Sequence, residues 1–155
     1  MEELVAVTTQ LGFSEPTLIQ KKVYQFLKAG KNVLGLAPTG SGKTLAYVLP
    51  LLQITQSKAG TQLLVVTPSQ ELTAQVTQVI RECLQQLKLT LVVTPLGGGA
   101  NVKRQQEKLK KHPEIVVGTP GRLLELAKNK KLKLHQLRTI VFDEADALLT
   151  EQTMN

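Results

Sequence analysis

Residues 32–44 read NVLGLAPTGSGKT, and this stretch decides the fold. Its first part, Asn32–Leu36, is an apolar run with the length and composition of a buried strand. Its second part fits the phosphate-loop spacing G-x-x-x-x-G-K-[ST], except that Ala37 stands at the first glycine position. A mostly apolar segment, Leu45–Leu52, follows and is expected to be helical. A strand, a glycine loop and a helix in this order are typical of a phosphate-binding loop; the alternative is a glycine turn that merely starts a helix.

The residue types of the loop suit a nucleotide phosphate. Gly40 and Gly42 allow backbone N–H groups to approach phosphate oxygens closely. Lys43 offers a positive charge to the outer phosphates, and Thr44 offers a hydroxyl group to Mg²⁺. The predicted nucleotide-binding residues of the loop are Ala37, Thr39, Gly40, Ser41, Gly42, Lys43 and Thr44.

Four more apolar runs, separated by segments of helical periodicity, follow the first one. They are Gln62–Val66, Thr90–Thr94, Glu114–Val117 and Thr139–Phe142. Nearly continuous apolar runs are typical of strands buried on both faces of a parallel sheet. Thr-Pro pairs at 67–68, 94–95 and 119–120 predict turns at the carboxyl ends of strands, where parallel sheets bind their ligands. The predicted fold is α/β, a mainly parallel sheet with helices on both faces.

The composition is that of an ordinary globular domain. The chain has 155 residues, of which 42% are hydrophobic and 20% charged, so we expect one domain over residues 1–155. The start at Met1 has no signal-peptide pattern, and no apolar stretch is long enough to span a membrane. The single cysteine, Cys83, lies in the apolar stripe of a predicted helix and excludes a disulfide framework. These features favour a cytoplasmic protein.

A helix is also predicted before the glycine loop. Its buried face is expected to contain Ile19, Val23, Phe26 and Leu27.

Positive charge is concentrated in one part of the chain. The formal net charge is +7, and the segment Asn101–Arg138 holds eleven basic but only three acidic residues. A local basic field attracts polyanions such as nucleic acids, but it is equally compatible with a solvated surface. Within it, Lys128–Lys133 has the composition of a solvated connector. The five aromatic residues are expected to lie mostly in the core, so any nucleic acid would be held by its backbone.

A second chemical signal closes the last predicted strand, where Asp143-Glu144-Ala145-Asp146 follows an apolar run. An aspartate in this position can hold Mg²⁺, and the neighbouring glutamate can orient and deprotonate an attacking water. Alone, such a cluster is more often a solvated turn. Beside a phosphate loop, it predicts Asp143, Glu144 and Lys43 as the catalytic residues of a nucleotide hydrolase.

Together these motifs resemble the DEAD-box RNA helicases. The acidic motif and the variant phosphate loop both match, and four weaker motifs occur in the same order over Gly12–Asp146. Pro16–Gln20 resembles the Q motif, Pro68–Leu72 motif Ia, Gly97-Gly98 the glycine doublet, and Thr119–Arg122 motif Ib. The resemblance implies an N-terminal RecA-like, ATP-binding domain. It also implies RNA-dependent ATP hydrolysis coupled to local duplex unwinding in the full-length protein, with ATP and Mg²⁺ as cofactors.

The resemblance also assigns roles to individual residues. Gln20, assisted by Thr17, would select adenine; Thr44 and Asp143 would hold Mg²⁺; and Asp146 would couple the nucleotide site to motif III. RNA would be contacted mainly through its sugar-phosphate backbone, by Pro68, Ser69, Gln70, Gly97, Gly98, Thr119, Pro120, Gly121 and Arg122.

The sequence departs from the family pattern in three ways. Gln70 replaces the usual arginine of motif Ia, and no aromatic residue occurs near Glu3, where the family stacks one on adenine. Motif III and the second RecA-like domain, an expected partner, lie outside the 155 residues, so we expect an incomplete domain that binds nucleotide with little turnover. Two other functions fit less well: a different phosphate-loop nucleotide hydrolase and a basic RNA-binding module without activity.

Overall fold

A computed structural model of the chain describes residues 1–98 and 101–149. The chain forms two compact units. The first unit contains Met1–Thr55 and Val79–Leu89, and the second contains Gln56–Gln78 and the described residues from Thr90 onward. Within the described ranges, no helix has both the length and the apolar character that a membrane span requires.

Three helices build most of the first unit: α1 (Glu2–Gln10), α2 (Leu18–Lys28) and α3 (Lys43–Ile54). Helices α2 and α3 pack together closely. Tyr24 is fully buried, and its hydroxyl group donates to Gln53 Oε1 at 2.7 Å. The prediction that Phe26 is buried is wrong, because its ring is 59% exposed. The buried face of α2 includes Gln20, Val23 and Tyr24, the i, i+3, i+4 set, and Phe26 lies off that face.

The run Asn32–Leu36 is not a strand, which corrects the first sequence prediction. Leu34 and Leu36 are 84% and 86% exposed. The sheet of the described residues has four strands, and this run has no place in it. A strand is stabilised by its hydrogen-bonding neighbours and by burial more than by the intrinsic preference of its residues. An apolar composition alone is therefore not enough to make Asn32–Leu36 a strand.

The second unit is organised around a parallel sheet in the order β2-β3-β1-β4. The strands are β1 (Leu63–Val66), β2 (Val93–Leu96), β3 (Ile115–Gly118) and β4 (Thr139–Phe142). All three pairings are parallel, with Leu63 opposite Ile115 in β3 and Thr139 in β4. Four of the five predicted strands are thus confirmed to within a few residues, as is the α/β class.

Four helices accompany the strands: α4 (Gln70–Gln86), α5 (Val102–Leu109), α6 (Pro120–Lys128) and the short α7 (Ala145–Leu148). Parallel crossover connections are right-handed. With this strand order, the rule places Gln70–Gln78, the part of α4 that belongs to this unit, on one face of the sheet and α5 and α6 on the other. A buried cluster accordingly joins sheet and helix residues, namely Leu64, Val66, Leu96, Leu109, Val116, Leu123, Leu126, Leu132 and Leu148.

Two details of the strands differ from the sequence predictions. Strand β2 continues through Pro95, so this Thr-Pro pair does not end a strand. A proline is tolerated there because β2 lies at the edge of the sheet, where one side needs no backbone donor. Strand β4, the opposite edge, exposes 47% of Ile140 and 60% of Phe142 and is not buried on both faces.

Cys83 is buried in α4, as predicted, with 2% of its surface exposed. Burial, with a smaller contribution from Glu82, raises the pKa of its thiol to about 11. The thiol is therefore protonated near neutral pH and packs as a small apolar side chain.

Candidate functional site

The glycine loop leads directly into helix α3. Gly40 and Gly42 have φ angles of +80° and +83°, in the left-handed region that glycine adopts without steric cost. Gly42 is the N-cap of α3, and its carbonyl oxygen accepts from Ala46 N–H at 3.0 Å. Lys43 and Thr44 are the first two helical residues, so free N–H groups of the first turn lie beside them. This is the arrangement by which helix N-termini bind phosphate.

Gln20 links the start of α2 to this loop. Its Oε1 accepts from Thr17 N–H at 2.9 Å, and its Nε2 donates to the Gly42 carbonyl oxygen at 3.2 Å. The side chain is 4% exposed. A Cβ atom added to Gly42 would lie 2.5 Å from Gln20 Nε2 and 3.0 Å from Thr17 Oγ1. The structure therefore brings the predicted adenine-reading pair and the predicted phosphate loop into direct contact.

The loop also contains a buried polar atom that suits a phosphate group. Ser41 Oγ is buried and has no hydrogen-bond partner among the described protein atoms. Most buried hydroxyl groups are hydrogen-bonded, and a phosphate oxygen would satisfy this one. Ala37, Lys43 and Thr44 are half-buried, whereas Thr39 is exposed. No cluster of three or more histidine, cysteine or acidic side chains suited to a metal occurs in the described part of the chain.

The acidic motif follows strand β4 in the second unit. Asp143 N–H donates to the Val66 carbonyl oxygen at 3.0 Å, which extends the β1–β4 pairing to the motif. Glu144 has φ +51° and ψ +55°, a left-handed conformation that costs a residue with a Cβ atom on the order of 1 kcal/mol. Its side chain and that of Asp146 are exposed. The two carboxylates thus project from the carboxyl edge of the sheet.

Motif Ia follows strand β1 at the same edge. The Ser69 hydroxyl accepts from Leu72 N–H at 3.1 Å and caps the first turn of α4. Thr67, which is fully buried, shares a 2.6 Å hydrogen bond with the Thr73 hydroxyl. Pro68 is half-buried, while Ser69 and Gln70 are exposed. The predicted RNA-contact residues of this motif are therefore held in place from beneath by buried threonines.

The glycine doublet lies against motif Ia. A Cβ atom on Gly97 would lie 3.5 Å from Gln70 Cγ, and one on Gly98 would lie 3.4 Å from Gln70 Nε2. Gln70 stands where the family usually has arginine, and here its side chain packs on the doublet. Gly97 and Gly98, two of the predicted RNA-contact residues, therefore share one surface with Gln70. Gly99, the glycine that follows the doublet, lies outside the described residues.

Motif Ib joins this surface from strand β3. Thr119 is the N-cap of α6 and Pro120 its first residue, as predicted. Arg122 Nη2 donates to the Gly98 carbonyl oxygen at 3.0 Å, and Arg122 Nε lies 3.2 Å from Glu125 Oε2. The arginine side chain is 9% exposed. Arg122 therefore holds the glycine doublet in place, while Thr119 and Pro120 are half-buried and Gly121 is exposed beside it.

Gln105 is a member of this surface that the sequence analysis missed. Its Nε2 donates to the Gly97 carbonyl oxygen at 2.9 Å, and its Oε1 accepts from Arg122 Nη1 at 2.8 Å. It is 4% exposed. The available signal was its position: with Val102 and Leu109 it occupies one face of α5, where an apolar residue would be usual.

Replacing Gln105 by leucine is expected to lower the free energy of unfolding by about 2 kcal/mol, because it removes the two buried hydrogen bonds that Gln105 makes to Arg122 Nη1 and to the Gly97 carbonyl oxygen. Urea unfolding measures the loss. The same change at its neighbour Gln106, a half-buried residue, serves as the control and should stay within about 0.5 kcal/mol. Equal losses at both positions would contradict the role given to Gln105.

The aromatic residues do not lie mostly in the core, which corrects the sequence analysis. Phe13, Phe26 and Phe142 are 51%, 59% and 60% exposed, whereas Tyr24 is fully buried. Exposed rings are therefore present in the described part of the chain. The surface formed by motif Ia, the doublet and motif Ib nevertheless consists mainly of glycines, prolines and polar side chains, and such groups suit contacts to phosphate and sugar.

The parallel sheet and its polar carboxyl edge place the chain among α/β proteins of RecA-like architecture. A solved structure described as a hypothetical ATP-dependent RNA helicase from Sulfolobus tokodaii is similar, with a TM-score of 0.82 and 37% identity, over 96% of this chain and 43% of that one. The family model for DEAD/DEAH box helicases matches residues 17–155. The chain belongs to the DEAD/DEAH box helicase family, which confirms the resemblance drawn from its motifs.

Curated relatives support the same family assignment. A probable ATP-dependent RNA helicase, YfmL, from Bacillus subtilis is 50% identical over 89% of this chain and 36% of its own length. The DEAD-box ATP-dependent RNA helicase CshC from Bacillus cereus is 44% identical over 92% of this chain and 36% of its own length. The chain thus spans about a third of the length of these relatives.

Proposed function

We propose that residues 1–155 form the N-terminal, ATP-binding RecA-like domain of a DEAD-box RNA helicase. In the whole protein, RNA-dependent ATP hydrolysis would drive local unwinding or remodelling of RNA duplexes. The observation that carries the proposal is the hydrogen-bonded link from Thr17 through Gln20 to Gly42. A glutamine buried against a phosphate loop is placed to report on the base of a nucleotide whose phosphates the loop holds.

The loop residues would bind the phosphates of ATP. Lys43 would neutralise charge on the outer phosphates, and the free N–H groups at the start of α3 would donate to their oxygens. Ser41 Oγ, buried without a partner among the described atoms, would gain one. Gly40 and Gly42 would allow the close approach, with Ala37 and Thr39 completing the loop wall.

The remaining catalytic roles follow from chemistry at the first helical turn and at the acidic motif. Mg²⁺ would neutralise phosphate charge when bound, and Thr44 and Asp143 carry the oxygen ligands suited to it. Glu144 would orient a water and accept its proton during attack on the γ-phosphate. Its carboxylate is exposed at the carboxyl end of β4. Asp146 would couple the nucleotide site to motif III.

RNA would bind to the carboxyl edge of the sheet in the second unit. Ser69, Gln70, Gly98 and Gly121 offer exposed polar or backbone groups there, and Pro68, Gly97, Thr119 and Pro120 shape the surface. Such groups suit sugar and phosphate contacts, which carry no base information. Arg122 would act mainly by fixing the Gly98 carbonyl group. A second RecA-like domain would complete the RNA site, in a cytoplasmic setting consistent with a single unbridged cysteine.

Calorimetric titration of Mg²⁺-ADP and Mg²⁺-GDP into the chain tests the nucleotide site. We expect ADP to bind at least about tenfold more tightly, a difference of roughly 1.4 kcal/mol, because Gln20 is positioned to distinguish the base. The Lys43→Ala variant should lose binding of both nucleotides, and Gln20→Ala should lose the preference. Equal binding of ADP and GDP by the unaltered chain would contradict the role of Gln20, and no binding would contradict the proposal as a whole.

A further inference from the structure

A basic cleft lies at the amino edge of the same sheet. It is opposite the surface formed by motif Ia (Pro68–Leu72), the glycine doublet (Gly97-Gly98) and motif Ib (Thr119–Arg122), which we call the motif surface. Its volume is about 790 Å³, and it is lined by the turn before β1, the end of α5 and the segment before β4. Five lysines line it, and we call it the lysine cleft: Lys58, Lys110, Lys130, Lys131 and Lys133. His112 and His135 add two further groups that can carry positive charge.

The charge of the lysine cleft is largely uncompensated. None of its lining residues is acidic. In the described part of the chain, only Lys110 among the five lysines forms an ion pair, with Glu107 at 2.7 Å. Glu114, buried nearby, accepts from the backbone N–H groups of Lys58 and Val92 at 2.9 and 2.7 Å. Because its two oxygens bind backbone groups, Glu114 orders the cleft wall and does not pair with the lysine side chains.

The backbone of the cleft is firmly held. Gln62 binds the backbone of Gln56 through both ends of its amide, at 2.8 and 2.7 Å. The Thr61 hydroxyl donates to the Pro113 carbonyl oxygen at 2.7 Å and ties the turn before β1 to the one before β3. The lysines therefore extend from a fixed frame, which lowers the ordering cost of binding a ligand.

Three cleft residues also have a conformation that favours glycine. Lys58, His112 and Lys130 have φ angles of +60°, +51° and +56°. A cation after a helix is favourable for the helix dipole, and this explains Lys130 after α6. The helix dipole does not explain Lys58. It also does not explain why lysines from three separate segments line one cleft.

We infer that the lysine cleft binds the phosphodiester backbone of RNA as a second contact, remote from the motif surface. The ligand class follows from the lining: lysine ammonium groups are point charges suited to phosphates, and none of the lining residues is phenylalanine, tyrosine or tryptophan. Its apolar members, Leu109 and Leu132, are buried. It therefore lacks the exposed apolar anchors on which protein partners depend.

Helix α5 connects the two surfaces. Near its start, Gln105 contacts Gly97 of the motif surface, and its last residues, Gln106 and Leu109, line the lysine cleft. Eight residues of helix span about 12 Å. The exposed cations Lys103 and Lys108 lie along this length, together with Arg104. This basic path allows one RNA strand to reach both surfaces; the inference rests on the proposed function for the identity of its ligand.

The test compares two triple variants with the same change in net charge. Lys130, Lys131 and Lys133 are replaced by glutamine in one, and the exposed first-unit residues Lys22, Lys31 and Arg81 in the other. Affinity for a fluorescein-labelled single-stranded RNA is measured by anisotropy over a range of salt concentrations. We expect the cleft variant to reduce the salt slope by about 2, since each phosphate contact contributes about 0.7. The control variant should change it by less than half as much. Thermal unfolding verifies that both are folded.

Lysine acylation followed by mass spectrometry shows whether the contact is direct. RNA should protect Lys58, Lys130, Lys131 and Lys133, and leave Lys22 and Lys31 reactive. Equal slopes for the two variants, or protection by polyglutamate but not by RNA, would overturn the inference.

A third variant, Gly98→Glu, disrupts the motif surface by placing a carboxylate, which repels phosphate, among the proposed backbone contacts. If it weakens RNA binding while the cleft variant behaves like the unaltered chain, the lysine cleft is not an RNA site and the proposed function stands. If the unaltered chain binds no RNA, both fail.

Discussion

Replacing Gly42 by alanine is expected to lower the affinity for Mg²⁺-ADP by roughly 100-fold, as measured by calorimetry. The new Cβ atom would lie 2.5 Å from Gln20 Nε2 and 3.0 Å from Thr17 Oγ1. Either Gln20 gives up its hydrogen bond to the Gly42 carbonyl oxygen, or the loop and the start of α2 separate. The left-handed φ of +83° adds about 1 kcal/mol of strain. Together with an overpacking cost of about 2 kcal/mol, this amounts to about 3 kcal/mol, slightly more than the roughly 2.7 kcal/mol that corresponds to 100-fold.

Gly40→Ala is the matched control for this prediction. Gly40 has nearly the same φ, +80°, but a Cβ atom there meets nothing within 4 Å. It should therefore show the backbone strain alone, a loss of roughly tenfold or less. In a Gln20→Ala background the cost of Gly42→Ala should shrink, because the nearest clash is gone. Equal losses for the two glycines would mean that the Gln20–Gly42 contact does not shape the nucleotide site.

The extent to which the sequence predicts this fold depends on how each element is stabilised. Strands β1 and β3 were readily predicted because they are buried on both faces and read as unbroken apolar runs. Asn32–Leu36 has the same composition but no strand neighbour among the described residues. Pairing is a non-local property, and no pattern within five residues reveals it. The same limit explains Pro95, whose place within β2 depends on that strand lying at the edge of the sheet.

The residues of the candidate site also differ in how well the sequence predicts them. The glycine loop was predictable because its chemistry requires fixed residue types at fixed spacing, and the structure places Gly40, Gly42 and Lys43 at the start of α3 as expected. Gln105 was missed because its role is to join Gly97 to Arg122, residues that come together only in the folded unit. Phe142 was wrongly predicted to be buried, because the burial of an aromatic ring depends on the elements that pack over it in the folded unit. Residues that support the binding surface from behind are therefore the ones for which a structure is needed.

Replacing Gly118 by alanine is expected to lower the free energy of unfolding by about 3 kcal/mol, at the upper end of overpacking costs. A Cβ atom on Gly118 would lie 2.6 Å from the Leu96 carbonyl oxygen and 2.9 Å from Leu123 Cδ2. Leu123 is 6% exposed and belongs to the core, so it has little room to move. The oxygen is backbone of β2, so relief requires β2 and β3 to separate. A thermal midpoint lower by about 9 °C is expected from circular dichroism, at about 3 °C per kcal/mol.

Gly121→Ala, three residues further on, should have the opposite sign. Gly121 lies in the first turn of α6, and a Cβ atom there meets nothing within 4 Å. Alanine is a better helix former than glycine by up to about 1 kcal/mol, so stability should stay the same or rise slightly. Comparing Gly118→Ala with Gly121→Ala distinguishes the effect of the close backbone approach at Gly118 from a general sensitivity of this segment to substitution. Strands β2 and β3 also lead into the glycine doublet and Thr119, so Gly118→Ala should weaken RNA binding along with stability. A Gly118→Ala chain as stable as the unaltered one would show that β2 and β3 do not approach as closely as the structure has them.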